Sequence, residues 1–154
     1  MKTLVVYYSR SGTTRTVGEA IAEKLKCDKE EIIDMKKRRG VIGWLKAGKE
    51  GKQGKTTKIK PLAKKVNDYD LVIVGTPVWA GNMSPATRTF LEENKKDIKK
   101  TAFFATFGGS EGKTFQDMES ICGVKPISNL GLKNGEVKKK EHLQKLGEFI
   151  KGMK

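Results

Sequence analysis

An α/β sandwich, a parallel sheet with helices packed against it, is the fold class this sequence predicts. Two observations carry that prediction. Apolar runs rich in β-branched and aromatic residues read as strands buried on both faces: Leu4-Val5-Val6-Tyr7-Tyr8, Leu71–Gly75 (LVIVG) and Ala102–Phe107 (AFFATF). Segments of helical spacing alternate with them along the chain. No internal repeat is present, and 154 residues suit a single domain with a real core, residues 1–154.

Taken in order, the first strand breaks into Ser9-Arg10-Ser11-Gly12-Thr13-Thr14, a turn of small and hydroxyl-bearing residues around one arginine. A helix follows at once, with Val17, Ala20, Ile21 and Leu25 on one face. Glu30–Met35 (EEIIDM) reads as a short second strand, and Pro61–Asp68 as a short helix. Between them lies a basic insert at about 36–60, with ten Lys or Arg and only Glu50 acidic. Within it Val41, Ile42, Trp44 and Leu45 cluster at helical spacing, which predicts a short helix between Gly/Lys loops. After the strand Leu71–Gly75 comes a loop, Thr76–Ser84, then a helix with Ser84 at the N-cap and Pro85 at its first position. The strand Ala102–Phe107 leads to a glycine-rich loop and the helix Thr114–Cys122, with Gly123 as C-cap. A weak strand around Lys125–Leu130 precedes a last helix, about Lys138–Gly152, with Leu143, Leu146, Ile150 and Met153 on one face.

Composition narrows the function classes. Thirty-two Lys and Arg against 18 Asp and Glu give a formal charge of +14, which favours anionic partners. No apolar stretch approaches the ~18 residues of a membrane span, and no signal peptide precedes Lys2. The expectation is a cytoplasmic protein. Cys27 and Cys122 lack any metal or redox spacing and read as reduced core thiols. The single histidine, His142, offers no partner pattern for a metal site or a catalytic triad, so no metal is expected.

Two stretches imitate a P-loop and fail on count. Gly108 and Gly112-Lys113-Thr114 are separated by three residues, and Gly48 and Gly54-Lys55-Thr56 by five, where the cradle requires four. No GxGxxG dinucleotide fingerprint occurs. What remains is three loops, Ser9–Thr14, Thr76–Met83 and Thr106–Gly112, each directly after a strand. In a parallel sheet all three fall at the C-terminal edge, where ligands bind. The first presents N–H groups, hydroxyls and a helix N-terminus, a setting for a phosphate. The second presents Trp79 on a Pro/Gly-bounded loop, a flat apolar face. The third presents glycine backbone that a ligand can approach closely.

These residues resemble those of a short-chain flavodoxin. Ser9-Arg10-Ser11-Gly12-Thr13-Thr14 fits that family's [TS]-x-[TS]-G-x-T phosphate loop. Thr76-Pro77-Val78-Trp79-Ala80-Gly81-Asn82, with Ser84-Pro85-Ala86 and Phe90-Leu91 behind it, fits the first ring-binding loop, and Thr106–Gly112 the second. The resemblance implies a three-layer α/β/α sandwich around a five-stranded parallel sheet of order 2-1-3-4-5, with FMN at the switch point; flavodoxin is the standard instance of that order. It implies that Ser9, Arg10, Ser11, Gly12, Thr13 and Thr14 hold the phosphate, Arg15 adding charge. Pro77, Val78, Trp79, Ala80, Gly81 and Asn82 would hold the ring on one side. Thr106, Phe107, Gly108, Gly109, Ser110 and Gly112 would hold it on the other. It also implies a peptide near Gly81 that reorients on one-electron reduction, and no catalytic side chain.

The expected function is electron transfer between redox proteins. Family members are typically acidic, whereas this chain is strongly basic. Acidic partners are therefore expected, ferredoxin-like or a flavin or iron–sulfur enzyme, together with a less negative potential for full reduction. Two rivals belong to other classes. One is a flavodoxin-fold FMN oxidoreductase acting directly on a quinone, a porphyrinogen or an NAD(P)H-linked acceptor, with Trp44 walling its pocket. The other is a nucleic-acid or anionic-surface binding module; base stacking finds little support, because the basic residues lack interleaved aromatics apart from Trp44.

Overall fold

The computed structural model describes residues 1–36, 49 and 54–153. Its spine is β1 (Thr3–Tyr7), every residue of which is buried. The remaining elements are α1 (Thr13–Leu25), β2 (Asp28–Glu31), β3 (Leu71–Trp79), β4 (Asn82–Met83), α2 (Pro85–Asn94), β5 (Lys100–Phe107), α3 (Thr114–Cys122), β6 (Asn129–Lys133), α4 (Asn134–Lys138) and α5 (Leu143–Lys151). The long strands form a parallel sheet of order β2-β1-β3-β5-β6, and β4 adds a two-residue antiparallel flap on β3. Without β4, this is the 2-1-3-4-5 order expected from the sequence. Register is continuous through the centre: Leu4 pairs Val72, Val6 pairs Val74, and Val74 pairs Phe103.

The period of two along β1 sorts its side chains between two cores. Leu4, Val6 and Tyr8 pack with Phe90, Leu91 and Met118, which belong to α2 and α3. Val5 and Tyr7 pack with Val17 and Ile21 of α1 and with Leu146, Phe149 and Ile150 of α5. A sheet apolar on both faces needs helices on both faces, and that requirement makes the three layers. Two glycines allow close approaches, one between helix and sheet and one between neighbouring strands. A Cβ at Gly18 would lie 2.5 Å from the Tyr7 ring, and one at Gly75 would enter the Phe104 ring.

Several boundaries differ from those the sequence predicts. β2 ends at Glu31; Ile32 N–H still reaches Tyr7 C=O (2.7 Å), but residues 33–35 leave the sheet. They pair antiparallel with the far end of the basic insert, through Met35 N–H to Lys58 C=O and Lys60 N–H to Ile33 C=O, both 2.9 Å. Residues 30–35 thus pair first with β1 and then with residues 58–60, a partner the local sequence does not announce. In place of a helix over 61–68 there is one 3-10 turn, Val66–Asp68. The Glu30 carboxylate accepts from the N–H groups of Ala63 (2.6 Å) and Lys64 (2.9 Å) just before that turn.

β3 runs four residues past Gly75 to Trp79, and β6 starts at Asn129 rather than 125. The last helix is two helices, broken at Lys140, whose φ is 59°. Leu143, the first residue of the second of these helices, is exposed, while Leu146, Ile150 and Met153 are buried. Helix α1 buries Val17 and Ile21 as expected, and α3 ends on Gly123 at φ 73°. The helix expected around Val41, Ile42, Trp44 and Leu45 lies outside the described residues. No helix among the described residues is long and apolar enough to cross a membrane.

Candidate functional site

The parallel order brings the ends of β1, β3 and β5 side by side, so the segments that follow them share one rim. Residues 9–12 leave β1 in a tight loop in which Ser9 Oγ accepts from Gly12 N–H at 3.0 Å. Gly12 is the N-cap of α1 at φ 104°, a left-handed conformation that costs glycine little. Its carbonyl accepts from the Thr16 N–H and hydroxyl, both at 3.0 Å. The N–H groups of Thr13, Thr14 and Arg15 then open the helix with no intrahelical acceptor. The first turn holds no acidic residue, so partial positive charge at this helix end is uncancelled locally. Ser9 and Thr14 are buried, Arg10, Gly12 and Thr13 half-buried, and Ser11 exposed. The Arg15 guanidinium is bound by Glu31 of β2 in a bidentate pair at 2.6 and 2.8 Å, and its other terminal nitrogen lies beside Gly12, 3.8 Å from where a Cβ there would stand.

The second segment is a β-hairpin. Pro77, Val78 and Trp79 continue β3 and are half-buried, and Trp79 pairs with Asn82 across a two-residue turn. Both turn residues, Ala80 (φ 53°) and Gly81 (φ 80°), take positive φ, as hairpin turns that match strand twist require. For Ala80 that conformation is strained. Asn82 Oδ1 accepts from Met83 N–H at 2.8 Å and braces the return strand. Behind the hairpin a buried hydroxyl set fixes α2. Ser84 N–H donates to Thr76 Oγ1 (3.0 Å), and Ser84 Oγ caps Thr87 N–H (3.2 Å).

The third segment leaves β5 at Thr106 and half-buried Phe107, then exposes Gly108, Gly109, Ser110 and Gly112. Two direct bonds tie the three segments together. Thr14 and Thr106 share a buried hydroxyl–hydroxyl bond of 2.8 Å, joining the first to the third. Lys113 N–H donates to Gly81 C=O at 2.9 Å, joining the third to the second. Gly112 (φ 55°) makes that second junction possible, since a Cβ there would fall 2.6 Å from the Gly81 oxygen.

This rim fits a phosphorylated flat ring. A Cβ placed at Gly81, Gly108 or Gly109 would meet nothing within 4 Å, so the glycines of both ring-side segments border open space. Trp79 ends β3 beside them, and the N-terminus of α1 follows β1 on the same rim. Sequence reasoning did not find Tyr8, whose ring lies 5.6 Å from Trp79 at 86°, edge to face. The alternation Leu4, Val6, Tyr8 carried the signal, because it puts Tyr8 on the α2/α3 side. Nor did it find the Lys113 amide, which has no residue-type signature. Among the described residues no cluster of three or more His, Cys, Asp or Glu could hold a metal ion. His142 is buried far along the chain, before α5.

Solved structures with the same fold extend the comparison. A flavoprotein from Lactobacillus acidophilus NCFM, solved in complex with FMN, is 27% identical, with a TM-score of 0.72 over 90% of this chain and 97% of that one. The two-electron reduced flavodoxin of Megasphaera elsdenii is 13% identical, with a TM-score of 0.63 over 96% of this chain and 97% of that one; it shows likeness of fold alone. So does the flavodoxin, WrbA-like protein of Agrobacterium tumefaciens, 22% identical, with a TM-score of 0.52 over 85% of this chain and 74% of that one. The model of the Flavodoxin family matches residues 2–149, nearly the whole sequence, and the chain belongs to that family.

Proposed function

We propose that this protein binds FMN at the rim and works as an electron carrier between redox proteins. FMN follows from family membership, from the FMN complex of the Lactobacillus acidophilus flavoprotein, and from the fit of the rim to a phosphate at one end and a flat ring at the other. When bound, FMN supplies the one- and two-electron chemistry. The chain's own residues bind and orient it. The N–H groups of Thr13, Thr14 and Arg15, with the hydroxyls of Ser9, Ser11 and Thr13, receive the phosphate. Trp79 covers one face of the ring. Backbone of residues 78–81 and 107–110 reaches its polar edges, and Gly12 and Gly112 set the loop shapes.

The observation that most favours a carrier is exposure. Ala80, Gly108, Gly109 and Ser110 all lie on the surface, so a ring seated between these segments keeps an edge within reach of a partner's redox centre. The partner we propose is acidic, a ferredoxin-like protein or a flavin or iron–sulfur enzyme. The formal charge of +14 supports this. So does the position of Arg10 and Lys113, which follow β1 and β5 on the rim side, and of Lys58 and Lys60, paired with residues 33–35 just past β2. Such charges steer encounter and are screened by salt.

Potentiometric titration of the FMN-loaded protein, followed by its visible spectrum, tests the carrier reading. A carrier takes up two resolved single electrons and oxidises NADH or NADPH no faster than free FMN does. A single two-electron step with rapid NADPH oxidation would move the assignment to a direct oxidoreductase. Electron transfer to a small acidic ferredoxin should slow as salt rises from about 50 to 300 mM, and a salt-independent rate would refute the acidic partner.

A further inference from the structure

We propose that Tyr8 is a positioning residue of the site: packed edge to face on Trp79, it fixes the plane of the indole against which the flavin ring stacks. This rests on the proposed reading of Trp79 as the stacking face.

Trp79 is the last residue of β3, immediately before a turn with two positive φ angles, and it is only half-buried. Its backbone is held by pairing with Asn82, but pairing does not set the rotation of the indole about χ2, a broad torsion with no strong wells of its own. A surface indole at a strand end therefore needs a neighbour to hold its plane. Tyr8 is such a neighbour. Its ring is 6% exposed and stands at 86° to the indole with centroids 5.6 Å apart, within the range of favourable T-shaped pairs.

The buttress is itself rigid. Tyr8 N–H donates to Gly75 C=O at 3.2 Å, continuing the β1–β3 pairing one residue past the strand. Its ring is embedded in the cluster that includes Val6, Val74, Met83 and Phe103. The next residue, Ser9, closes the phosphate loop by accepting from Gly12 N–H. Two consecutive residues at the end of β1 thus serve the two ends of one ligand: Ser9 shapes the phosphate end and Tyr8 the ring end. A shift of one end relative to the other would need a break in the sheet between β1 and β3.

The test compares the FMN-loaded parent with Tyr8→Phe, Tyr8→Leu and Trp79→Leu. The readouts are FMN dissociation constant, quenching of flavin fluorescence and visible circular dichroism of the bound flavin. Tyr8→Phe, which keeps the ring, should stay closer to the parent than Tyr8→Leu in all three. Tyr8→Leu should weaken FMN binding about threefold to tenfold, the loss expected for one aromatic pair, and should alter the visible dichroism. In a Trp79→Leu background the Tyr8→Leu effect should vanish, because no indole is left to orient. If Tyr8→Leu does not fold, Tyr8→Met, which fills the space with a flexible chain, takes its place in every comparison.

A purely structural role would lower thermal stability while leaving the flavin dichroism and quenching of the folded variant at parental values. That result overturns the proposal. A parent that binds no FMN, or a Trp79→Leu variant with parental dichroism, overturns instead the reading of the site beneath it.

Discussion

Ser84 shows how much one buried hydroxyl does at this site. It is fully buried, caps Thr87 N–H, shares a 2.9 Å bond with Thr87 Oγ1, and takes Thr76 Oγ1 as acceptor for its own N–H. Ser84→Ala removes a helix cap and leaves a buried N–H without its acceptor, so it should destabilise the protein by about 1–2 kcal/mol in thermal or urea unfolding. A loss near zero would mean the hydroxyl set is not a support of the hairpin. Cys27 is the opposite case, a group that the fold silences. Burial, aided by the nearby Asp28 carboxylate, pushes its thiol from 9.0 up to about 11. At pH 8 that leaves about a hundredfold less thiolate than an ordinary cysteine; the higher nucleophilicity of a thiolate of raised pKa offsets part of this, so alkylation of the native protein should be slower by about tenfold or more and accelerate as pH rises toward 11. The sign for stability is the same. The folded state holds the proton more tightly, so this contribution is intact below pH 9 and fades as pH climbs through 9 to 11. Alkylation at the rate of a free thiol would contradict the burial.

At the scale of elements, the junction of the hairpin with the third segment is the feature most exposed to test. Gly81 C=O is held by Lys113 N–H, so any reorientation of the Gly81–Asn82 peptide must first break that bond. Gly112→Ala places a Cβ against the Gly81 oxygen at a position of positive φ, and both effects push the two segments apart. FMN affinity should fall about tenfold or more, while the unfolding temperature of the cofactor-free protein moves by only a few degrees, because these segments lie at the surface. Unchanged affinity would show that the junction does not shape the site.

The elements also show what a sequence can and cannot announce. β1, β3, β5, α1 and α3 were readable because their burial is written in their own residues: continuous apolar runs, one helical face, a terminal Gly123. The Ser84-Pro85 start of α2 was readable for the same reason. Failures came where a distant partner decides. Ile33 and Met35 pair with residues 58–60, and Glu30 reaches across 33 residues to Ala63. Ala80 hid the hairpin because alanine gives no hint of positive φ, and the hydroxyl bond between Thr14 and Thr106 spans 92 positions. The rim loops could be named one by one, but the bonds that join them are properties of the fold.

Across the whole molecule, the parallel sheet gathers three weak motifs onto one edge, and the charge sets the conditions there. A positive surface stabilises added electrons, each solvated cation by about 1 kcal/mol or less. The second reduction step of the FMN-loaded protein should therefore lie at a less negative potential than in an acidic member of the family, and should shift downward as salt screens the field. An ordinary, very low potential that ignores salt would contradict that expectation. The central claim, however, is that a phosphate end and a ring end are held together by one rim. It is tested most directly by titrating the cofactor-free protein with FMN and, in parallel, with riboflavin, which has the ring and lacks the phosphate. FMN should bind at micromolar concentration or below with quenched fluorescence, and riboflavin at least about tenfold more weakly. Equal affinity for the two, or no binding of FMN, would contradict it.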